Sequence, residues 1–186
     1  NTRLYTVVSE DRDLLSSANS RYILKMHGDL KKEGTIVLKE SDYINYEHTH
    51  ILISTFIKSL LINHTFLFVG YSLNDYNLKL IIGWINYLAN IYGISDRPQN
   101  ILIQYNKATD SDINYFKRRN INIVDLETMP TKLVELANCH TAFDNDIGNK
   151  LLAYLKCINH SDILQKFIPL ESLLREKYLY LSSYKK

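Results

Sequence analysis

The stretch TFLFVGYSLNDYNL, residues 65–78, joins a short strand to a helix through a glycine turn. Thr65–Val69 is an apolar run of strand length, and a long apolar helical pattern follows from about Asn74 to Tyr92. Short, continuous apolar strands next to helices are typical of a parallel sheet with helices on both faces. This stretch therefore predicts an α/β protein.

Helices and strands alternate on both sides of this stretch. The further predicted strands are Tyr5–Val8, Tyr22–Met26, Thr35–Lys39, Asn100–Tyr105 and Ile121–Asp125, and the further helices are His50–Ile62 and Asp110–Arg119. We predict a partial Rossmann-like fold, α/β with a doubly wound, mostly parallel sheet. Thr65–Val69 is expected at its centre, between Tyr22–Met26 and Asn100–Tyr105.

The last part of the chain has a helical pattern only. Ala142–Asn159 and Leu170–Leu181 are predicted helices, and Pro169 separates them. We therefore assign residues 1–138 to the Rossmann-like domain. Residues 139–186 are assigned to a helical tail or a link to a further domain.

The composition bounds the functions that the chain can have. Of 186 residues, 46% are hydrophobic and 23% are charged, and the net charge of +2 is too small to indicate nucleic-acid binding. Cys139 and Cys157 are too few for a disulfide framework or a four-ligand zinc site. No apolar run is long enough to span a membrane. We expect a cytoplasmic protein that needs no metal and binds neither nucleic acid nor a membrane directly.

Two glycine turns follow predicted strands, and each carries polar side chains. Residues 22–38 read YILKMHGDLKKEGTIVL, so His27, Gly28 and Asp29 end one strand. Gly70, Tyr71, Ser72 and Asp75 follow the other. Because ligands bind at the carboxyl ends of strands in open α/β sheets, we expect His27 and Ser72 to face one crevice.

Each turn also has a purely structural interpretation. Ser72 and Asp75 match a capping box, a common way to begin a helix, although helix N-termini also bind phosphates. The glycine-rich dinucleotide fingerprint is absent. His27 would exchange protons near neutral pH, yet a histidine at this position can equally well cap the turn.

Taken together, KMHGDL, IVLKESDY and FLFVGYSLNDYNL resemble the sirtuin-like NAD-hydrolase domain of prokaryotic antiphage defence proteins. The resemblance covers roughly Tyr5 to Asp125. It implies a Rossmann-like domain in which His27 is catalytic. It also implies that Gly28, Asp29, Gly70, Tyr71, Ser72 and Asp75 help to bind NAD. No four-cysteine zinc ribbon follows the His-Gly pair, which disfavours deacetylation.

The implied function is cleavage of NAD to nicotinamide and ADP-ribose in an antiphage, abortive-infection response. NAD is then the substrate, and the resemblance implies a homo-oligomer with a phage protein as a possible activator. The alternative is a non-catalytic module of the same fold that binds NAD or ADP-ribose, or a partner protein.

One departure from the family pattern concerns the amino-terminal half of the domain. The family has a Gly-Ala-Gly phosphate loop and an Asn in a Thr-Asn-Tyr-Asp-like stretch well before the His-Gly pair. His27 leaves no room for either, and the first residue is Asn1 rather than Met. We expect the missing half to lie upstream in a longer protein and these 186 residues alone to be inactive.

Overall fold

The computed structural model describes residues 5–16, 21–71, 76–94, 97 and 99–159. They divide into two compact units, one within residues 1–65 and 72–98 and the other within residues 66–71 and 99–186. Both units contain parallel strands with helices against them. The chain therefore has the predicted partial Rossmann-like α/β fold.

The first unit begins with a strand–helix–strand segment. Strands β1 (Thr6–Val8) and β2 (Tyr22–Leu24) pair in parallel, and helix α1 (Asp11–Leu15) connects them. The Lys25 N–H donates to the Val8 carbonyl at 2.7 Å, which continues the pairing toward the end of β2. Val8 is fully buried. The predicted strands Tyr5–Val8 and Tyr22–Met26 are confirmed, each slightly shorter than expected.

Four helices complete the description of the first unit. They are α2 (Glu40–Ile44), α3 (Tyr46–Thr49), α4 (Ile51–Asn63) and α5 (Tyr76–Ile91). In α4, the buried Ile53, Ile57 and Leu61 recur every four residues and form one apolar face. Helices α4 and α5 pack against each other. The predicted helix His50–Ile62 is confirmed as α4, and the described part of the helix predicted from Asn74 is α5.

A carboxylate from α1 caps the start of α4. His50, the residue before α4, offers no side-chain hydrogen bond to its first turn. Instead, Asp11 accepts the N–H groups of Leu52 at 3.0 Å and Ile53 at 3.1 Å. These N–H groups have no partner within the helix, and the helix dipole also favours a negative charge there. Asp11 therefore fixes α1 against α4.

The second unit contains a three-stranded parallel sheet. Its strands are β3 (Leu67–Val69), β4 (Asn100–Gln104) and β5 (Ile121–Asp125), in the order β3-β4-β5. Its helices are α6 (Asp110–Lys117), α7 (Thr131–Leu136) and α8 (Asp146–Asn159). The Thr109 hydroxyl accepts the Asp112 N–H at 3.1 Å and thereby caps the start of α6. The bounds of β5 match the prediction.

The expected central position of Thr65–Val69 is wrong. In the sheet of the second unit β4 is central, and β3 pairs with β4 alone among the described residues. Phe68 is buried, whereas Leu67 and Val69 are 38% and 44% exposed. A continuous apolar run indicates burial but does not specify the neighbouring strands. Only the parallel pairing with the strand that begins at Asn100 is confirmed.

The predicted strand Thr35–Lys39 is also wrong. A 3₁₀ turn occupies Glu33–Thr35, and no strand follows it directly. The N–H groups of Thr35 and Ile36 donate back to the Lys32 and Glu33 carbonyls at 2.9 and 3.2 Å. These donors are used within the turn and are not available to a neighbouring strand.

Helix α8 packs into the core of the second unit. Two lysines of α8 donate to backbone carbonyls outside the helix. The Lys150 Nζ donates to the Glu127 carbonyl at 3.4 Å, and the Lys156 Nζ donates to the Ala137 carbonyl at 3.1 Å. The core combines residues from β4, β5, α7, α8 and the segments between them, including Ile101, Ile103, Val124, Leu126, Met129, Leu133, Val134, Cys139, Ala153, Tyr154 and Cys157. The division proposed at residue 138 falls within this core and stays a prediction.

The predicted helix Leu170–Leu181 lies outside the described residues. In the part of the chain that the structure describes, every helix is too short or too polar to cross a membrane.

We expect Asp11→Ala to lower the free energy of unfolding by about 1 kcal/mol, and by no more than about 2 kcal/mol, because two N–H groups of α4 lose their cap. Asp11→Asn, which keeps one oxygen acceptor, should cost less. Asp144 is exposed in a turn, so Asp144→Ala should change the same quantity by less than about 0.5 kcal/mol. Urea unfolding measures all three. Equal losses for Asp11→Ala and Asp144→Ala would contradict the capping role.

The two cysteines should resist alkylation in the folded chain. Burial raises the pKa of the Cys157 thiol to about 11, and the neighbouring Cys139 adds to the rise. Because the thiolate is the reactive form, raising a pKa by two units lowers reactivity at pH 8 by about a hundredfold. We expect iodoacetamide to label Cys157 at least about a hundredfold more slowly in the native chain than in urea. Comparable labelling rates of Cys157 in the native chain and in urea would show that the reagent reaches this core in the folded state.

Candidate functional site

The segment after β2 is a closed loop that presents His27. Gly28 donates its N–H to the Lys25 carbonyl at 2.9 Å, and Lys32 donates to the Asp29 carbonyl at 2.7 Å. The Val37 N–H donates to the His27 carbonyl at 3.2 Å. The loop therefore leaves β2, turns back on itself and returns to His27.

Gly28 is required at its position for two separate reasons. Its φ of +85° lies in the left-handed region, which side chains with a Cβ rarely adopt. A Cβ there would also lie 2.5 Å from the Thr35 carbonyl carbon and 2.8 Å from Ile36 Cα. The loop can close only with glycine, so the structure explains Gly28 by the close approach of two backbone segments.

Asp29 holds the loop together. Its carboxylate accepts the Lys25 Nζ at 2.7 Å and the Lys31 N–H at 3.0 Å, and its own N–H donates to the Thr35 hydroxyl at 2.9 Å. The hydrogen bond from Lys25, followed by that from Lys31, holds the pKa of the Asp29 carboxyl below its usual value. Asp29 is therefore an ionised, structurally engaged residue beside His27.

Lys32 fastens the loop to α1, a role that sequence reasoning missed. Its Nζ donates to the Glu10 carboxylate at 2.7 Å and to Asp13 at 3.2 Å. Burial raises the pKa of Asp13, but hydrogen bonds from Ser9, Lys32 and Glu10 outweigh this effect and the pKa is lowered. A lysine in a polar turn normally indicates a solvated surface, so the sequence gives no signal for this contact.

The His27 ring packs against Tyr43 of α2. The ring centroids are 5.6 Å apart and the planes meet at 81°, an edge-to-face arrangement that aromatic pairs prefer. Tyr43 is half-buried, whereas His27 is exposed. Tyr43 is a second residue that sequence reasoning missed, because α2 was not predicted and the contact depends on where α2 lies.

The second turn differs from the first. Gly70 also has a positive φ, +64°, but a Cβ there would meet no atom within 4 Å. Tyr71 stacks against Phe68 of β3, with centroids 5.9 Å apart and planes at 25°. Glycine is therefore needed at position 70 for its conformation alone. Open space beside the backbone is the environment in which a ligand can approach it closely.

The predicted site residues thus fall into three groups. His27, Gly28 and Asp29 lie on one loop of the first unit, and Gly70 and Tyr71 belong to the second unit. Ser72 and Asp75 lie outside the described residues. The shared crevice of His27 and Ser72 stays a prediction. Among the described residues, no cluster of three or more His, Cys, Asp or Glu side chains is arranged to hold a metal ion.

Comparisons with known proteins match this chain to one family. The family model for the SIR2-like domain matches residues 3–124. The chain is 32% identical over 130 residues to defense-associated sirtuin 2 of Bacillus subtilis, covering 68% of this chain and 13% of that protein.

Two further relatives are both described as NAD(+) hydrolase ThsA. The protein from Cytobacillus dafuensis is 34% identical over 82 residues, which cover 44% of this chain and 17% of that protein. The protein from Bacillus cereus strain MSX-D12 is 31% identical over 124 residues, which cover 62% and 25% respectively. The chain therefore spans a quarter or less of the length of these relatives.

Three glycine-to-alanine substitutions separate steric contact from backbone conformation. Gly28→Ala should lower the free energy of unfolding by about 2–5 kcal/mol, because it combines a left-handed residue with an overpacked contact. Gly70→Ala should cost about 1–2 kcal/mol, for conformation alone. Gly34→Ala has neither problem and should leave stability unchanged or raise it by up to about 1 kcal/mol.

Denaturant unfolding of the three alanine variants measures this order. If Gly28→Ala cost no more than Gly70→Ala, the close approach to Thr35 would not be what requires glycine in the His27 loop.

Proposed function

This chain belongs to the family of SIR2-like domains, and on that premise we propose that it is an NAD-cleaving effector domain of an antiphage defence protein of the abortive-infection type. The observation that carries the proposal is the position of His27 at the carboxyl end of a parallel strand, on a loop closed through Gly28. The names of the relatives support both halves of it, defence association and NAD hydrolysis.

The proposed reaction cleaves the bond between nicotinamide N1 and ribose C1′. The electron pair of that bond leaves with nicotinamide, and C1′ passes through an oxocarbenium-like state, as in glycoside hydrolysis. Water then adds to C1′ and releases a proton. The products are nicotinamide, ADP-ribose and one proton.

In this proposal His27 accepts a proton from a ribose hydroxyl or orients that hydroxyl. An imidazole is suited to the task because it exchanges protons near neutral pH. Asp29 is less suited to act as an acid, since its lowered pKa keeps it ionised and Lys25 already binds it.

NAD binding is proposed to involve both turns. Gly28 and Asp29 shape the loop that carries His27, and Gly70 leaves room for the ligand to approach the backbone. Tyr71, Ser72 and Asp75 are proposed NAD contacts at the following helix N-terminus, where N–H groups favour phosphate. The active assembly is proposed to be a homo-oligomer of the longer protein, with a phage protein as its activator.

The second candidate function is a non-catalytic module that binds NAD or ADP-ribose, or a partner protein. The engagement of Gly28 and Asp29 in loop closure favours it, because those residues are explained without a reaction. The two candidates differ in one measurable quantity, the release of nicotinamide.

In a protein extended upstream to include the expected amino-terminal half, we expect NAD hydrolysis that His27→Ala lowers by at least about a hundredfold. The cause is loss of a group that acts on the transition state, so the midpoint of urea unfolding should stay unchanged. Chromatographic measurement of nicotinamide measures the rate. The 186-residue chain itself should release little or none.

His48→Ala is the matched control, since His48 is an exposed histidine of α3 in the same unit. It should retain full activity. Hydrolysis that survives His27→Ala would remove the catalytic role of His27. A wild-type extended protein that binds NAD without releasing nicotinamide would establish the second candidate.

A further inference from the structure

The contact between Tyr43 and His27 has no part in the function proposed so far. We infer that Tyr43 is a positioning residue that fixes the orientation of the His27 ring, an inference that rests on the proposed function for its catalytic consequence. The evidence is the edge-to-face contact of the two rings, with centroids 5.6 Å apart and planes at 81°.

The segment that carries Tyr43 is itself tied to His27. The Val37 N–H donates to the His27 carbonyl at 3.2 Å, and the Val37 side chain is buried in the first unit. Chain segment 37–43 therefore reaches His27 twice, at the backbone through Val37 and at the ring through Tyr43. Two attachments by one short segment restrain a side chain more than either would alone.

The start of α2 is also held in place. The Asp42 carboxylate accepts the N–H groups of Leu38 at 3.1 Å and Lys39 at 2.9 Å, just before the helix begins. The hydrogen bond from Lys39, followed by that from Leu38, holds the pKa of the Asp42 carboxyl below its usual value, so this group stays ionised at neutral pH. The position of Tyr43 relative to Val37 is thereby fixed.

A fixed ring orientation matters for a histidine that exchanges protons. The two imidazole nitrogens differ in position, and rotation about the side-chain bonds moves the reacting nitrogen away from a bound hydroxyl. Proton transfer needs hydrogen-bond distance, and a misplacement of about 1 Å can cost about a hundredfold in rate. An aromatic ring packed against the imidazole opposes such rotation.

The first test follows the His27 ring by NMR in the 186-residue chain, without any reaction. Tyr43→Leu removes the aromatic ring, and Tyr43→Phe keeps it. Phe56→Leu is the matched control, because Phe56 forms a similar edge-to-face pair with Tyr22 in the same unit, with centroids 5.3 Å apart. Tyr43→Leu should remove the ring-current shift of the His27 protons and increase ring motion. Tyr43→Phe and Phe56→Leu should leave both unchanged.

The second test measures kcat and KM for NAD in the extended protein. Tyr43→Leu should lower kcat by about ten- to a hundredfold with KM within about twofold, and Tyr43→Phe should restore kcat. Phe56→Leu should leave kcat unchanged even if it lowers the melting temperature. That pattern separates positioning from a general loss of stability.

The two tests fail independently. A His27 ring that is equally ordered in Tyr43→Leu and the wild type would overturn the inference, whatever the activity. If the wild-type extended protein releases no nicotinamide, the proposed function fails, and the NMR comparison still decides whether Tyr43 orients His27. A kcat that falls equally in Tyr43→Phe and Tyr43→Leu would also overturn it, because the ring would then not be the restraint.

Discussion

The close approach of Gly28 to the Thr35–Ile36 backbone is the constraint on which the His27 loop depends. Without space for any side chain at position 28, two backbone segments touch directly, and hydrogen bonds from Val37 and Asp29 close the loop around that contact. Once the loop is closed, His27 has a defined place at the end of β2. The absence of a Cβ at position 28 therefore lets the backbone that carries His27 pack directly against residues 35 and 36.

The same chain uses glycine for a different purpose at position 70. There the positive φ is the whole requirement, because a Cβ would point into open space. The first turn thus needs glycine mainly because two backbone segments touch there. The second turn needs glycine only for its backbone conformation and leaves open space beside the backbone. In the proposed function, the first turn orients the reacting group and the second turn leaves access for the ligand.

Sequence patterns predicted individual strands and helices better than the contacts between them. Continuous apolar runs predicted β4 and β5 because each run lies within the strand that it predicts. The central position of β3 was wrong because strand neighbours depend on tertiary packing. The strand predicted at residues 35–39 was wrong because the hydrogen bonds of a 3₁₀ turn outweigh β propensity there. The motif singled out His27, whose catalytic role stays a prediction, whereas no local pattern indicated the ring contact of Tyr43 with it.

The carboxylates of Asp11, Asp13 and Asp29 are all held in structural contacts. Asp11 caps α4, while Asp13 and Asp29 each accept backbone N–H groups and a lysine Nζ. The pKa values of Asp13 and Asp29 are lowered, so at neutral pH both stay ionised and cannot donate a proton. Glycosidases of the two-carboxylate type need one carboxyl held protonated by a raised pKa. The ionised Asp29 of the His27 loop does not meet that requirement, and the proposed function assigns proton exchange to the imidazole of His27 instead.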